Sequence, residues 1–131
     1  MFGFGKKKNA DRDVVRQEFQ SMTTRLRASD ETVQMAVGHG INMAFSFFRQ
    51  AHGTPQAFQG KSAAEQISYL KILADMETRL REEKKDVASS LGFWLFKAWV
   101  ATLVQGDDEL STALSNELAY FSRKGDFSGC T

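Results

Sequence analysis

Five stretches of this chain repeat apolar residues at intervals of three and four, and each is bracketed by residues that start or stop a helix. No stretch sustains the apolar–polar alternation of a half-buried strand, and the 131 residues include one proline. This pattern predicts an all-α fold. The expected form is a compact antiparallel bundle of about five helices at approximately 13–28, 31–52, 63–85, 87–105 and 108–124, with a short helical turn at 55–59. Residues 1–12 are expected to be a flexible N-terminal arm, 13–125 a single helical domain and 126–131 a loose C-terminal tail.

In the first segment Val15, Phe19, Met22 and Leu26 fall on one stripe, and Asp11 or Asp13 can cap its start. In the second, Ser29 or Asp30 serves as N-cap, and Val33, Val37, Ile41, Ala44 and Phe48 form an apolar row widened by Met35, Met43 and Phe47. Gly53-Thr54-Pro55 ends it, and Thr54-Pro55 can cap the short turn that Gly60 closes. Ser62-Ala-Ala-Glu65 is a capping box for the third segment. There Ala63, Ile67, Leu70 and Ala74 are expected to face inward, with Tyr69, Leu73, Met76 and Leu80 on the adjoining stripe. Asp86 and Asp107 cap the fourth and fifth segments, which Gly106 and Gly125 are expected to stop. The second and fourth segments are apolar around most of their circumference and are expected to be central.

The fourth segment carries an apolar run over residues 91–104. A membrane helix needs about 20 such residues. This run is shorter and Lys97 interrupts it, so a core helix is the expected reading. Eleven Phe and two Trp supply bulk for a core without a disulfide or metal. The one cysteine, Cys130, has no partner for an internal disulfide. The start, in which Lys6, Lys7 and Lys8 precede a polar run, lacks the apolar stretch of a signal peptide, and a cytoplasmic location is expected.

With 17 basic and 16 acidic residues the formal charge is +1. Binding to nucleic acid is disfavoured, because phosphate neutralisation calls for a basic surplus. His39 and His52 lie on one predicted helix, roughly 220° apart around its axis, and cannot share a metal from it. The chain has no His-x-x-His, Glu-x-x-His or Cys–His spacing, no Ser–His–Asp order and no phosphate loop. No catalytic residue, metal ligand or cofactor is therefore assigned, and an enzyme is not the favoured class.

Three features stand out. Gly38-His39-Gly40 interrupts a helix interior at a cost of roughly 1 kcal/mol per glycine relative to Ala. Either a neighbouring helix approaches there, with Trp94 or Trp99 laid across the gap, or the notch opens a ligand pocket with His39, Asn42 and Lys97 as its polar groups. Trp94 and Lys97 lie on the least apolar stripe of the fourth segment, where a partly exposed Trp suits a protein contact. Phe2 and Phe4 beside the lysines could dock to a partner or touch a membrane surface, though too weakly for stable anchoring. The expected function is a small interaction module that binds a protein partner or a second copy of itself: an adaptor, an immunity-type inhibitor or a regulatory subunit. A small-ligand binder or enzyme using the Gly38–Gly40 pocket is the alternative, followed by peripheral membrane association through residues 1–8.

Overall fold

In the computed structural model, which describes the backbone of residues 2–129 and the side chains of 13–125, the chain forms six helices and no strand among the described residues. They are α1 (Phe2–Arg27), α2 (Glu31–His52), α3 (Pro55–Gln59), α4 (Ala63–Glu82), α5 (Val87–Gln105) and α6 (Asp108–Gly129). The all-α bundle is as expected, with the short turn present as α3. The first helix begins at Phe2 and not near 13, and the last runs to Gly129 and not 124, so the backbone is helical through the segments expected to be the arm and most of the tail. The side chains of these segments, and with them the candidates Phe2 and Phe4, lie outside the described residues.

The starts of the helices follow local chemistry. Thr54 accepts a hydrogen bond from the Ala57 amide at 3.1 Å, and Pro55 opens α3, where its missing N–H costs nothing. Ser62 accepts from the Glu65 amide at 3.2 Å, Asp86 from Ser89 at 3.1 Å and Asp107 from Leu110 at 3.0 Å. Asp30 stands at the N-cap of α2 but makes no side-chain cap bond. Instead the Gln34 side chain reaches back to the carbonyls of Arg27 and Ser29, at 3.0 and 2.9 Å, and holds the turn from α1 into α2. At the end of α4 the helix stops at Glu82, earlier than expected, and Lys85 takes a left-handed φ of 58° before α5.

Two helices form the centre, the second and fourth of the five expected segments. α2 buries Val37, Ile41, Ala44 and Phe48, and α5 buries Phe93, Leu95, Phe96, Trp99 and Val100. Contacts between them advance together along the chain, Ala36 with Ser89, Phe45 with Phe96 and Phe48 with Trp99. The two helices therefore cross in the same sense, as alternate members of an up-and-down series do. α6 packs on α2, α4 packs on α5, and α1 touches the rest through Phe19, Met22 and Leu26. α5 has the length and composition to cross a membrane, but more than half of it is covered by the protein, which fits a core helix.

The close approach of helices is made by glycine. A Cβ on Gly38 would meet the Phe121 carbonyl and, at 2.6 Å, the Gly125 amide nitrogen of α6. A Cβ on Gly40 would meet the Ser89 carbonyl and, at 2.9 Å, its Cα on α5. Gly92 meets the α2 backbone in return. This explains why α6 does not stop at Gly125, as the sequence suggests. The glycine is inside the helix because it faces Gly38, and a residue with a side chain could not occupy that contact.

The face of α4 differs from expectation. Its inward row is Gln66, Tyr69, Leu73 and Glu77, whereas Ile67 is 48% exposed and Ala63 is exposed. Polar partners shift the helix about its axis. Gln66 donates to the carbonyls of Phe58, Gln59 and Lys61 at 3.0–3.3 Å, and Glu77 accepts from Lys97 of α5 at 2.8 Å. Two buried polar groups with good partners outweigh the burial of one isoleucine, since an unpaired carboxylate or amide there would cost more.

Candidate functional site

The residues proposed for a pocket at the α2 notch do not converge. Gly38 and Gly40 are filled by backbone of α6 and α5, so the enclosed pocket expected between the two central helices has no room. Neither Trp94 nor Trp99 lies across the gap; the helix backbones themselves close it. His39 is exposed. Asn42 donates to the Ser122 carbonyl at 3.0 Å and accepts from the Ser122 hydroxyl, which clamps α2 to α6. Lys97 belongs to an ion-pair group in which the nearly buried Glu77 carboxylate sits between Lys97 at 2.8 Å and Arg81 at 3.1 Å. Its ammonium is therefore held against α4 rather than offered to a ligand or partner.

Trp94 is partly exposed. Its ring stacks on Phe19 of α1 with centroids 6.5 Å apart and planes 24° apart. Beside it lies a surface groove of about 400 Å³ between α1 and α5, lined by Gln17, Glu18, Ser21, Met22, Arg25 and Trp94. The groove sits where α1, with few buried side chains of its own, leans on α5. It joins an apolar floor to a mixed-charge rim.

A second groove, of about 360 Å³, runs between α2 and α4 and is mainly apolar. Phe47 and Ala51 come from α2 at a spacing of four, and Ala64, Ser68 and Ile72 from α4 at the same spacing, so each helix gives one row. At its inner edge are His52 and Tyr69, ring centroids 4.6 Å apart and planes 88° apart. Phe47 stacks on Tyr69, and Phe48 and Phe58 pack edge-on to it. The Tyr69 hydroxyl and the His52 Nδ1 are both buried without a hydrogen-bond partner. Burial pushes the Tyr69 phenol well above its ordinary value. Burial, then the Lys61 charge, holds the His52 imidazole below its ordinary value, with Glu65 opposing. Both groups are thus neutral near pH 7.

Sequence reasoning considered His52 only as a metal ligand and placed Tyr69 on a flanking stripe. The available signal was His52 four residues after Phe48, which continues the buried row of α2 to its last turn. Among the described residues no group of three or more His, Cys, Asp and Glu side chains could hold a metal ion. Comparison with known protein families, curated proteins and solved structures returns no match for this chain.

Proposed function

We propose that this protein is a small interaction module that uses the groove beside Trp94 as its contact surface, with a second copy of the chain as the simplest partner. The carrying observation is the indole of Trp94, left partly exposed in a groove with Met22 and flanked by Glu18 and Arg25. Tryptophan is the side chain most enriched at energetic centres of protein contacts, and a rim of mixed charge suits the edge of such a contact. Closed symmetric dimers are the commonest assemblies of small proteins. A cytoplasmic setting, expected from the sequence, belongs to the same proposal.

The test is light scattering of the wild type beside Trp94→Ala and Ser21→Arg. The first removes the anchor, and the second fills the groove from an exposed position without touching the core. A dimer that dissociates in both variants supports the reading. A monomeric wild type overturns self-association, and a dimer unchanged by both variants overturns the assignment of the groove.

A further inference from the structure

We propose that two copies of the chain exchange α1: the turn at 28–30 straightens, α1 and α2 become one helix, and each α1 seats on the other copy. This rests on a second copy being the partner at the Trp94 groove and names the part of it that engages there. Residues 28–30, Ala-Ser-Asp, hold neither glycine nor proline. The other connections between the long helices each contain a left-handed residue, Gly53, Lys85 or Gly106, and this one contains none. The Ala28 amide still bonds the Thr24 carbonyl at 3.2 Å, and the Gln34 amide already bonds the Asp30 carbonyl at 3.1 Å. Between them Asp30, with φ −56° and ψ 150°, leaves the helical region through ψ alone. Straightening gives the first-turn amides of Glu31, Thr32 and Val33 the carbonyls of Arg27, Ala28 and Ser29. In the closed chain the Gln34 side chain takes two of these three carbonyls, Arg27 at 3.0 Å and Ser29 at 2.9 Å. Gln34 is therefore the latch that competes with the straight form.

The hold on α1 is light. Of its residues 13–27, Phe19, Thr23 and Leu26 are buried, and Val15 and Met22 partly so. The Thr23 hydroxyl donates to the Gln20 carbonyl within α1 itself, at 3.1 Å. Arg16–Glu109 at 3.8 Å and Arg27–Glu117 at 2.9 Å tie α1 to α6, but both pairs are open to solvent and add little. Open grooves flank the helix on both sides, about 400 Å³ toward α5 and about 390 Å³ toward α6. Each of these contacts forms equally well with α1 of a second copy, because both copies present the same residues. Exchange thus loses no packing while it turns a short connection into helix, the setting in which swapped elements arise. In the exchanged pair one copy supplies Trp94 to the groove and the other supplies Met22 and Arg25, so neither copy builds that surface alone.

The experiment is light scattering of the full chain after refolding at high concentration, with three variants beside the wild type. Glu31→Pro blocks the straight form: proline suits the first position of α2 behind the extended Asp30, but in a continuous helix its ring meets the Arg27 carbonyl. Glu31→Ala loses the same ion pair to Lys124 and is the control. Gln34→Leu removes the latch. Wild type and Glu31→Ala are expected to dimerise, Gln34→Leu to raise the dimer fraction, and Glu31→Pro to stay a folded monomer. Spin labels at Thr24→Cys and Met43→Cys, both exposed, in a Cys130→Ser background diluted with unlabelled chain, read the distance within one copy. One continuous helix sets the two positions about 28 Å apart, and the dimer is expected to show that distance where Glu31→Pro shows a shorter one. The exchange is overturned if Glu31→Pro dimerises like Glu31→Ala, if the dimer keeps the monomer's label distance, or if wild type and Gln34→Leu both stay monomeric. A dimer that Ser21→Arg dissociates and Glu31→Pro leaves whole overturns the exchange but keeps the Trp94 groove. A dimer lost in Glu31→Pro and kept in Ser21→Arg supports the exchange and overturns the groove.

Discussion

Gly38 of α2 and Gly125 of α6 lie face to face with no space for a side-chain carbon on either. The seam between these helices is backbone on backbone, continued by the Asn42–Ser122 clamp one turn further along α2.

Gly38→Ala and Gly125→Ala should therefore each destabilise the fold by about 1–3 kcal/mol, the usual cost of overpacking, despite the better helix propensity of alanine. Gly60→Ala is the control. Its backbone is in the right-handed helical region and an added Cβ would meet nothing nearer than 3.5 Å, so its stability should match or slightly exceed the parent. Urea unfolding of the three variants reads the contrast.

Glu77 anchors α4 to α5 through Lys97, and Arg81 adds a second cation. Glu77→Ala should cost about 2 kcal/mol, because it leaves the partly covered Lys97 ammonium without its acceptor. A double-mutant cycle with Lys97→Met should give a coupling energy of about 1 kcal/mol, above the value for a fully exposed pair.

Acid should weaken the fold through His52. Its imidazole in the folded protein has a pKa below the ordinary 6.5, so the unfolded chain takes up the proton first as pH falls. Stability from this group is fully present above about pH 6.5 and is lost as pH drops through the folded value. His52→Phe should flatten that part of a melting-temperature profile, and the ring signals of His52 should titrate with a midpoint below 6.5.

Lys85 holds a left-handed φ of 58° in the connection from α4 to α5. That backbone costs a residue with a side chain about 1 kcal/mol, so Lys85→Gly should stabilise the protein by a few tenths to 1 kcal/mol, read as a small rise in melting temperature.

The helices, and the starts of α3 to α6, were legible because they are written locally, whereas α1 begins well before the expected Asp11 or Asp13 cap and Asp30 makes no cap bond on α2. Ser62, Asp86 and Asp107 cap where a hydroxyl or carboxylate precedes an apolar row, and the row Val37–Ile41–Ala44–Phe48 fixes the buried side of α2 by spacing alone. What was hidden depends on contacts far apart in the chain. Gly125 reads as a helix stop until Gly38 is seen opposite it. Ile67 reads as core until Gln66 and Glu77, bound to the 58–61 carbonyls and to Lys97, turn α4 so that it faces out. Of the candidate site residues, Trp94 lies at a surface groove, while Lys97 and Asn42 are taken up by internal partners that no spacing could have revealed.

The grip of Gln66 on three carbonyls has a practical side. With Phe58 sunk in the aromatic cluster and Gln59 donating to the Leu103 carbonyl at 3.2 Å, the connection from Gly53 to Ser62 is stitched down along most of its length. A protease needs several residues of chain to peel away before it can cut, and this segment offers few. The 83–86 connection is exposed over Glu83, Lys84 and Lys85; the amides of Glu83, Lys84 and Asp86 bond back to the Arg79 and Leu80 carbonyls, but none of the three exposed side chains is buried to anchor it. Limited digestion should nick the chain between α4 and α5 first, and an inserted tag or a new pair of termini belongs there rather than at the proline turn.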